Sequence, residues 1–171
     1  MNKLLVAPRG LMVPEFERKI LKFKNFSVFE TCTNVYDTVK TGSMFIEDHL
    51  LIVVLDGKYT VKHNGQKFSL KKNEMVLLRK AITIEYEKSG DFMLFFLKDS
   101  FLKEFIHGIK VYEKPKQELV PVSIIPADNR LIGFIESLKP YMNERSLIDE
   151  NLIKLKMFEL LYDLGNINRN L

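Results

Sequence analysis

The segment from Phe26 to Leu97 is a series of short apolar or alternating stretches separated by turn signals. In one of these stretches Tyr59 and Val61 alternate with polar residues, so one face is expected to point inward and the other into water. Several short strands at this spacing predict a sandwich or barrel rather than a parallel α/β sheet. The predicted strands are Phe26–Thr33, Leu50–Leu55, Lys58–His63, Lys67–Leu70, Met75–Leu78, Ile82–Glu87 and Phe92–Leu97.

Three glycine-containing signals separate these strands. Asn64-Gly65 is the strongest hairpin signal in the chain, because a type I′ turn needs positive φ at both central positions. Asp56-Gly57 is expected to act as a hinge between two apolar-rich segments, and Ser89-Gly90-Asp91 as a second turn. The stretches on either side of each signal are therefore predicted to be separate strands.

The sequence changes character after Lys98. Asp99-Ser100 is a predicted N-cap for a short helix that ends near Ile106. A connector with three prolines, Tyr112–Pro126, follows and is expected to contain one edge strand, Leu119–Ile125. The chain is therefore divided into a β region, residues 1–126, and a helical region, residues 127–171.

Two longer helices are predicted in the helical region. The first runs from Asp128, a good N-cap, to Asn143, and Pro140 is expected to loosen its last turn. The second starts near Asp149 and is expected to stop before Gly165, a residue type that favours the position after a helix. Fold class is thus mainly β with a C-terminal helix pair.

The apolar residues of the second helix spread over an arc wider than a surface helix needs. One interpretation is that this helix contacts two surfaces, its own domain and a second molecule, which predicts a homodimer. The alternative is a helix buried wholly within one domain. The residues expected at the dimer interface are Leu155, Phe158, Leu161 and Tyr162.

Charge and cysteine content limit the function classes. The net charge is +4, and the basic residues concentrate between Lys58 and Lys80, whereas the helical region is close to neutral. We interpret the lysine-rich strands as a solvated face that protects exposed edges rather than as a track for phosphates. A single cysteine, Cys32, excludes an intramolecular disulfide and is expected to be a half-buried structural thiol. No signal peptide or membrane span is predicted, so a cytosolic location is expected.

The order of these elements resembles the N-terminal regulatory half of AraC/XylS-type bacterial transcription regulators, whose β portion is a cupin-like barrel or jelly roll. The resemblance rests on Gly57 after an apolar strand, the Asn64-Gly65 hairpin, the turn at Leu70–Glu74, and the leucine-rich closing helix Leu155–Leu164. Such regulators continue into two helix-turn-helix units. The resemblance therefore implies DNA binding by the full-length protein, through a domain that is absent from this chain.

Metal-dependent cupins carry two histidines, a glutamate and a later histidine at positions that correspond here to Met44, Ile46, Leu50 and Val76. Thioether and alkyl side chains do not supply the lone pairs that a divalent ion needs at these positions. The three histidines, His49, His63 and His107, show no spacing that would bring two of them together. No metal, cofactor or active site is expected, so the chain is predicted not to be an enzyme.

The resemblance and the residues together predict a metal-free sensor that binds a small molecule or a partner protein and dimerises. Its interior is expected to offer an effector pocket lined by Tyr59, Val61, Phe68 and Phe95. Each of these four residues has plain core packing as an alternative role. Two other functions remain open, a small cupin enzyme such as a sugar isomerase or dioxygenase, and a stand-alone cupin binding protein.

Overall fold

The computed structural model describes residues 4–11, 18–31, 39–109, 119–143 and 148–167, so Cys32 and residues 112–118 of the proline-bearing connector lie outside the described residues. A 3₁₀ turn, Arg9–Leu11, follows the first strand. The strands are β1 (Leu5–Ala7), β2 (Arg18–Lys22), β3 (Phe26–Thr31), β4 (Lys40–Ile46), β5 (His49–His63), β6 (Gln66–Lys71), β7 (Met75–Leu78), β8 (Ile82–Leu97) and β9 (Val122–Ile125). The helices are α1 (Asp99–Gly108), α2 (Asn129–Asn143) and α3 (Glu150–Ile167).

The sheet is organised around two long strands, β5 and β8, which pair antiparallel along most of their length. At one end of this ladder β5 also pairs with β7 and β8 with β3, and β9 and β2 extend the sheet further. At the other end β5 pairs with β6, and β8 pairs with β4, which in turn pairs in parallel with β1. The two ends form the two walls of a mainly antiparallel barrel, as the sequence predicted.

The glycine signals at Gly57 and Gly90 do not end strands, which corrects the sequence expectation. β5 continues through Asp56-Gly57, and β8 continues through Ser89-Gly90-Asp91, with Gly57 and Gly90 directly opposite each other. Both glycines have positive φ, +82° and +109°, and a Cβ on either would lie 2.1–2.2 Å from a carbonyl oxygen of the other strand. Glycine is therefore needed here so that two paired strands can pass from one wall to the other in close contact.

A β-bulge next to this glycine pair sets which side chains point inward. The β5–β8 register shifts between Val54 and Asp56, so the inward positions of β5 change from even to odd numbers. Inward residues from both walls form a single apolar cluster, which we call the barrel core. It contains Ala7, Leu11, Phe29, Met44, Ile46, Leu50, Ile52, Val54, Tyr59, Val61, Leu70, Val76, Leu78, Ile84, Phe92, Leu94, Phe96 and Val122.

The wall formed by β3, β5, β7 and β8 is buried on its other face as well, because the three helices cover it. The resulting cluster, which we call the helix-facing core, joins residues of the sheet to residues of α1, α2 and α3. Its members include Val28, Leu51, Val53, Met93, Phe95, Phe101, Phe134, Leu138, Ile153, Met157, Leu160 and Leu164. The predicted boundary at residues 126 and 127 falls between β9 and α2, and the apolar contacts continue across it.

The observed first residues of the helices agree with the sequence prediction more closely than the observed last residues do. The Asp128 carboxylate accepts a hydrogen bond from the Arg130 amide at 2.8 Å, and that of Asp149 accepts one from the Asn151 amide at 2.8 Å. The short helix α1 begins at Asp99, but its cap residue is Lys98, which makes no side-chain capping bond.

Two helices extend further than predicted, α1 to Gly108 and α3 to Ile167. α3 continues past Gly165 because Ile167 packs against the helix-facing core, which outweighs the weak helix propensity of one glycine, about 1 kcal/mol. Pro140 is accommodated inside α2. Within the described residues, none of the helices is both long and apolar enough to cross a lipid bilayer.

Substitution of Gly57 by alanine is expected to lower the free energy of unfolding by about 2 kcal/mol or more, because the new Cβ meets the Ser89 carbonyl oxygen. Gly65→Ala is the matched control, since Gly65 has φ +77° but a Cβ added there would have no other atom within 4 Å, and it should lose only about 1 kcal/mol. Chemical denaturation of the three proteins gives the comparison. Equal losses at the two positions would contradict the close approach of β5 and β8.

Candidate functional site

The four positions that hold metal ligands in metal-dependent cupins all lie in the barrel core. Met44 is 3 % exposed, and Ile46, Leu50 and Val76 are fully buried. These side chains contribute only sulfur and carbon atoms to the interior, so they pack against each other instead of holding an ion. Among the described residues, no group of three or more His, Cys, Asp or Glu side chains is placed to hold a metal ion.

The four residues predicted to line an effector pocket do not share one interior. Tyr59 and Val61 belong to the barrel core, and Phe68 packs against it. Phe95 lies in the helix-facing core, 6.1 Å between ring centroids from Phe134 of α2. Phe95 was misplaced because its strand is apolar on both faces, so alternation alone does not say which face is inside.

Tyr59 is tightly enclosed within the barrel core. Its ring contacts that of Phe92 edge-on at 5.0 Å and stacks with that of Tyr86 at 6.2 Å. Burial raises the pKa of the Tyr59 hydroxyl above its ordinary value, so this group stays protonated in the fold. A role for Tyr59, Val61 or Phe68 in effector contact stays a prediction.

A cleft of about 110 Å³ lies where the sheet meets α2. Its apolar lining includes Val53, Met75 and Ile135, and its polar lining includes Lys72 and a Lys139–Glu136 ion pair at 2.6 Å. This volume is well below the roughly 300–1,000 Å³ of small-molecule sites, so in this conformation the cleft encloses only part of a ligand of that size. Sequence patterns missed this cleft because its walls come from segments that are distant along the chain.

The helix α3 is held on both sides by helices of its own domain. Lys156 donates a hydrogen bond to the Ser137 hydroxyl of α2 at 3.0 Å, and Asp163 lies 3.6 Å from Arg130. On the opposite side, the ring of Phe158 lies 5.2 Å from Phe101 and 5.4 Å from Phe105, both in α1. α1 therefore covers part of the apolar arc that suggested a second molecule.

The four residues predicted at a dimer interface separate into two groups. Phe158 and Leu161 are partly buried and pack against the helix-facing core. Leu155 is 66 % exposed and Tyr162 is 51 % exposed. These two residues are seven positions apart, close to two full helical turns, so they lie on the same outer face of α3.

A polar cluster joins the start of α1 to the sheet. The Nε2 atom of His49 lies 3.2 Å from one carboxylate oxygen of Asp99, and the Lys80 ammonium pairs with the other. The backbone N–H of Lys80 donates to Nδ1 of His49 at 3.4 Å, which assigns the neutral tautomer with its proton on Nε2. Burial is the main reason that the pKa of His49 is lowered, and nearby Arg79 and Lys80 act in the same direction.

The other two histidines lie elsewhere. His63 Nδ1 is 3.0 Å from the Thr83 carbonyl oxygen, and His107 Nδ1 is 2.6 Å from that of Lys103, within α1. His49, His63 and His107 are thus on β5 or α1 with separate polar partners. Sequence reasoning could not have found the His49 contact, since His49, Lys80 and Asp99 follow no spacing rule.

Comparison with known proteins decides the family. The model of the ExsA N-terminal regulatory domain matches residues 49–170, which is more than half of the chain. The chain belongs to this family. It is a regulatory N-terminal domain of the AraC type, as the sequence resemblance predicted, and the family is one of transcription regulators. No curated protein matches the chain.

Solved structures share the fold at low sequence identity. Apo ToxT K231A from Vibrio cholerae strain SCE256 has 15 % identity and a TM-score of 0.62 over 84 % of this chain and 57 % of the ToxT chain. ToxT with a bound unsaturated fatty acid, from the same strain, has 11 % identity and a TM-score of 0.57 over 85 % and 57 %. The AraC-like transcriptional activator CuxR has 7 % identity and a TM-score of 0.56 over 81 % and 50 %. This regulatory domain thus spans little more than half the length of these regulators.

The His49 cluster predicts that acidification destabilises the domain. Because the pKa of His49 is lower in the folded state than its unfolded value of 6.5, the unfolded chain binds more protons and stability falls as the pH drops below about 6.5. The pKa of Asp99 is also lowered, mainly by its bond to Lys80, so its effect has the same sign in the more acidic range. The pKa of Asp48 is raised by burial and acts in the opposite sense.

The test compares the thermal midpoints of the native domain and of His49→Gln between about pH 7.5 and pH 5.5. The native midpoint should fall over this range, and the variant should lose most of that dependence. His63→Gln is the matched control and should keep it, since His63 lies apart from the His49 cluster, with the Thr83 carbonyl as its polar partner. A pH dependence that is the same in all three proteins would exclude His49 as its source.

Proposed function

We propose that this domain senses an effector and forms the homodimer of a cytosolic AraC-type transcription regulator, and that it is not catalytic. DNA binding would belong to a domain outside these residues, because the chain spans only 57 % of ToxT and 50 % of CuxR. The observation that carries the proposal is the position of α3. This helix packs against the sheet, α1 and α2, and still presents apolar side chains to solvent.

The helix-facing core provides the coupling that a sensor needs. Phe95 of β8 contacts Phe134 of α2, and α2 is joined to α3 by the Arg130–Asp163 and Lys156–Ser137 contacts. Packed interiors transmit small displacements because they contain few voids. A molecule that shifts α2 against the sheet would therefore also shift α3.

The cleft between the sheet and α2 is the place where we expect an effector to act. Its lining joins Val53 and Met75 of the sheet to Ile132 and Ile135 of α2, and the ammonium group of Lys72 lies in the same lining, whereas that of Lys139 is paired with Glu136. Solved structures of ToxT contain an unsaturated fatty acid or a naphthalenyl-butenoic acid, each an apolar body with a carboxylate. A ligand of this class, or a protein segment of similar chemistry, matches an apolar lining with Lys72 available to a carboxylate.

The exposed face of α3 is the proposed dimer contact. Leu155 and Tyr162 lie on this face, and the ring of Tyr162 rests edge-on against Phe105 at 5.1 Å, which fixes its direction. In a twofold dimer each residue is buried twice, once in each protomer. Burial of a leucine contributes about 1.5–3 kcal/mol, so a pair of such residues is enough to matter for a dimer of moderate affinity.

Leu155→Asp is expected to weaken dimerisation about 100-fold or more, because it places a charge in both halves of a twofold contact. Analytical ultracentrifugation should show a native dimer at tens of micromolar and a monomeric variant. Tyr162→Asp should have the same direction of effect. Ile124→Asp is the matched control, since Ile124 is 38 % exposed on β9, away from α3, and it should leave the dimer intact.

Phe158→Ala tests a residue that packs in the interior, in contrast to the exposed residues of the proposed dimer contact. Its ring contacts Phe101 and Phe105, so its removal should lower the free energy of unfolding by about 3 kcal/mol. A native protein that is monomeric at tens of micromolar, or a Leu155→Asp variant that dimerises normally, would refute the proposed interface.

A further inference from the structure

Four lysines form an ordered group on the outer face of the β5–β6 hairpin. Lys58 lies directly opposite Lys71, and Lys62 lies directly opposite Lys67. Residues opposite each other in an antiparallel pair project from the same face, with Cβ atoms about 5 Å apart, and like charges in that arrangement are destabilising. Two such pairs in one hairpin therefore need an explanation. We call these four residues the lysine face.

Protection of a sheet edge explains only half of the lysine face. β6 pairs with β5 alone among the described strands, so Lys67 and Lys71 lie on an edge where charge discourages aggregation. β5 is paired on both sides at this point, with β6 and β8, so Lys58 and Lys62 lie on a central strand. Edge protection gives no reason for a charge at either position; Lys62 has the acidic Glu85 opposite it on β8, whereas Lys58 has only Ser89.

The ammonium groups of the lysine face form no ion pair within the part of the chain that the structure describes, and all four side chains are exposed. Acidic side chains border the face. Glu85 and Glu87 of β8 project from the same side of the sheet, with Glu85 directly opposite Lys62, and the Glu74 carboxylate accepts a hydrogen bond from the Lys71 backbone N–H at 2.9 Å. The four lysines lie between these acids, so the positive charge is concentrated along β5 and β6.

The distances between the lysines of the face suit a polyanion whose charges are regularly spaced. The two lysines of each pair are about 5 Å apart, and the two pairs are separated by four residues of strand, about 13 Å. The major groove of DNA is about 12 Å wide. Because β5 pairs with β8 as well as with β6, the face would lie across the groove and not enter it as a two-stranded ribbon. Two lysine pairs at this separation are placed to reach phosphates on both sides of a groove.

We propose that the lysine face binds the phosphate backbone of duplex DNA, without reading base sequence. This inference rests on the proposed function, in which a DNA-binding domain is attached to the regulatory domain. Attachment holds the hairpin near DNA at an effective concentration of about a millimolar, so even a weak contact would be occupied. The DNA contact of such a regulator would then extend beyond its separate DNA-binding domain.

The test titrates the 171-residue chain into a fluorescent duplex of about 30 base pairs and arbitrary sequence, between about 50 mM and 200 mM salt. Four phosphate contacts predict a slope of about −3.6 for the logarithm of the association constant against the logarithm of salt concentration. A variant with Lys58, Lys62, Lys67 and Lys71 all changed to Gln should bind at least tenfold more weakly at low salt, with a slope near zero.

The matched control changes four exposed lysines outside the face, Lys22, Lys24, Lys40 and Lys103, to Gln and removes the same charge. It should keep both affinity and slope. Glu85→Gln removes the carboxylate opposite Lys62 and should tighten binding several-fold, a gain that misfolding would not produce. Circular dichroism confirms that each variant is folded.

Two outcomes would overturn the proposal. One is equal loss of DNA binding in the control and in the lysine-face variant, which would assign binding to net charge. The other is a native chain that binds poly-glutamate but not DNA at low salt, which would assign the face to an acidic protein. A chain that dimerises through α3 but fails to bind DNA would leave the proposed function intact and refute only this inference.

Discussion

The close contact between Gly57 and Gly90 joins the two walls of the barrel. Here β5 and β8 pass together from one wall of the barrel to the other, with positive φ at both glycines. The bulge beside them exchanges the inward and outward positions of β5, so that Leu50 and Tyr59 both point into the barrel core. Without this passage the two walls would not enclose a common interior, and the wall that supports the helices would lose its partner.

The same ladder explains why a regulatory role fits this fold. One wall is buried on both faces, with the barrel core on one side and all three helices on the other. The positions that the sequence resemblance matched to a cupin metal site hold Met44, Ile46, Leu50 and Val76, whose apolar side chains fill the barrel core. The polar and basic groups lie outside, at the rim of the cleft, at the start of α1 and on the hairpin. The proposed effector cleft, dimer contact and lysine face therefore all lie on the outside of the barrel.

Sequence patterns predicted those features that depend on local chemistry. Asn64-Gly65 forms its hairpin because type I′ turns require positive φ, and Asp128 caps its helix because its carboxylate reaches the amides of the first turn. The sequence patterns failed at Gly57 and Gly90. A glycine permits positive φ both where the chain reverses and where a strand continues, so the residue type alone does not distinguish the two. The patterns also placed Phe95 inside the barrel, because an apolar run shows that a side chain is buried without showing what covers it, and the wide apolar arc of α3 gave no sign that α1 contacts Phe158.

If the sheet and the helices form one mechanical unit, an event at the sheet can reach α3. Native-state hydrogen exchange measures whether they do. In a single cooperative unit, the slowest amides of β5, β8 and the inner face of α3 should open with free energies that agree within about 1 kcal/mol. Amides of α2 and α3 that open at several kcal/mol less than those of the β5–β8 ladder would show an independent helical unit and contradict it.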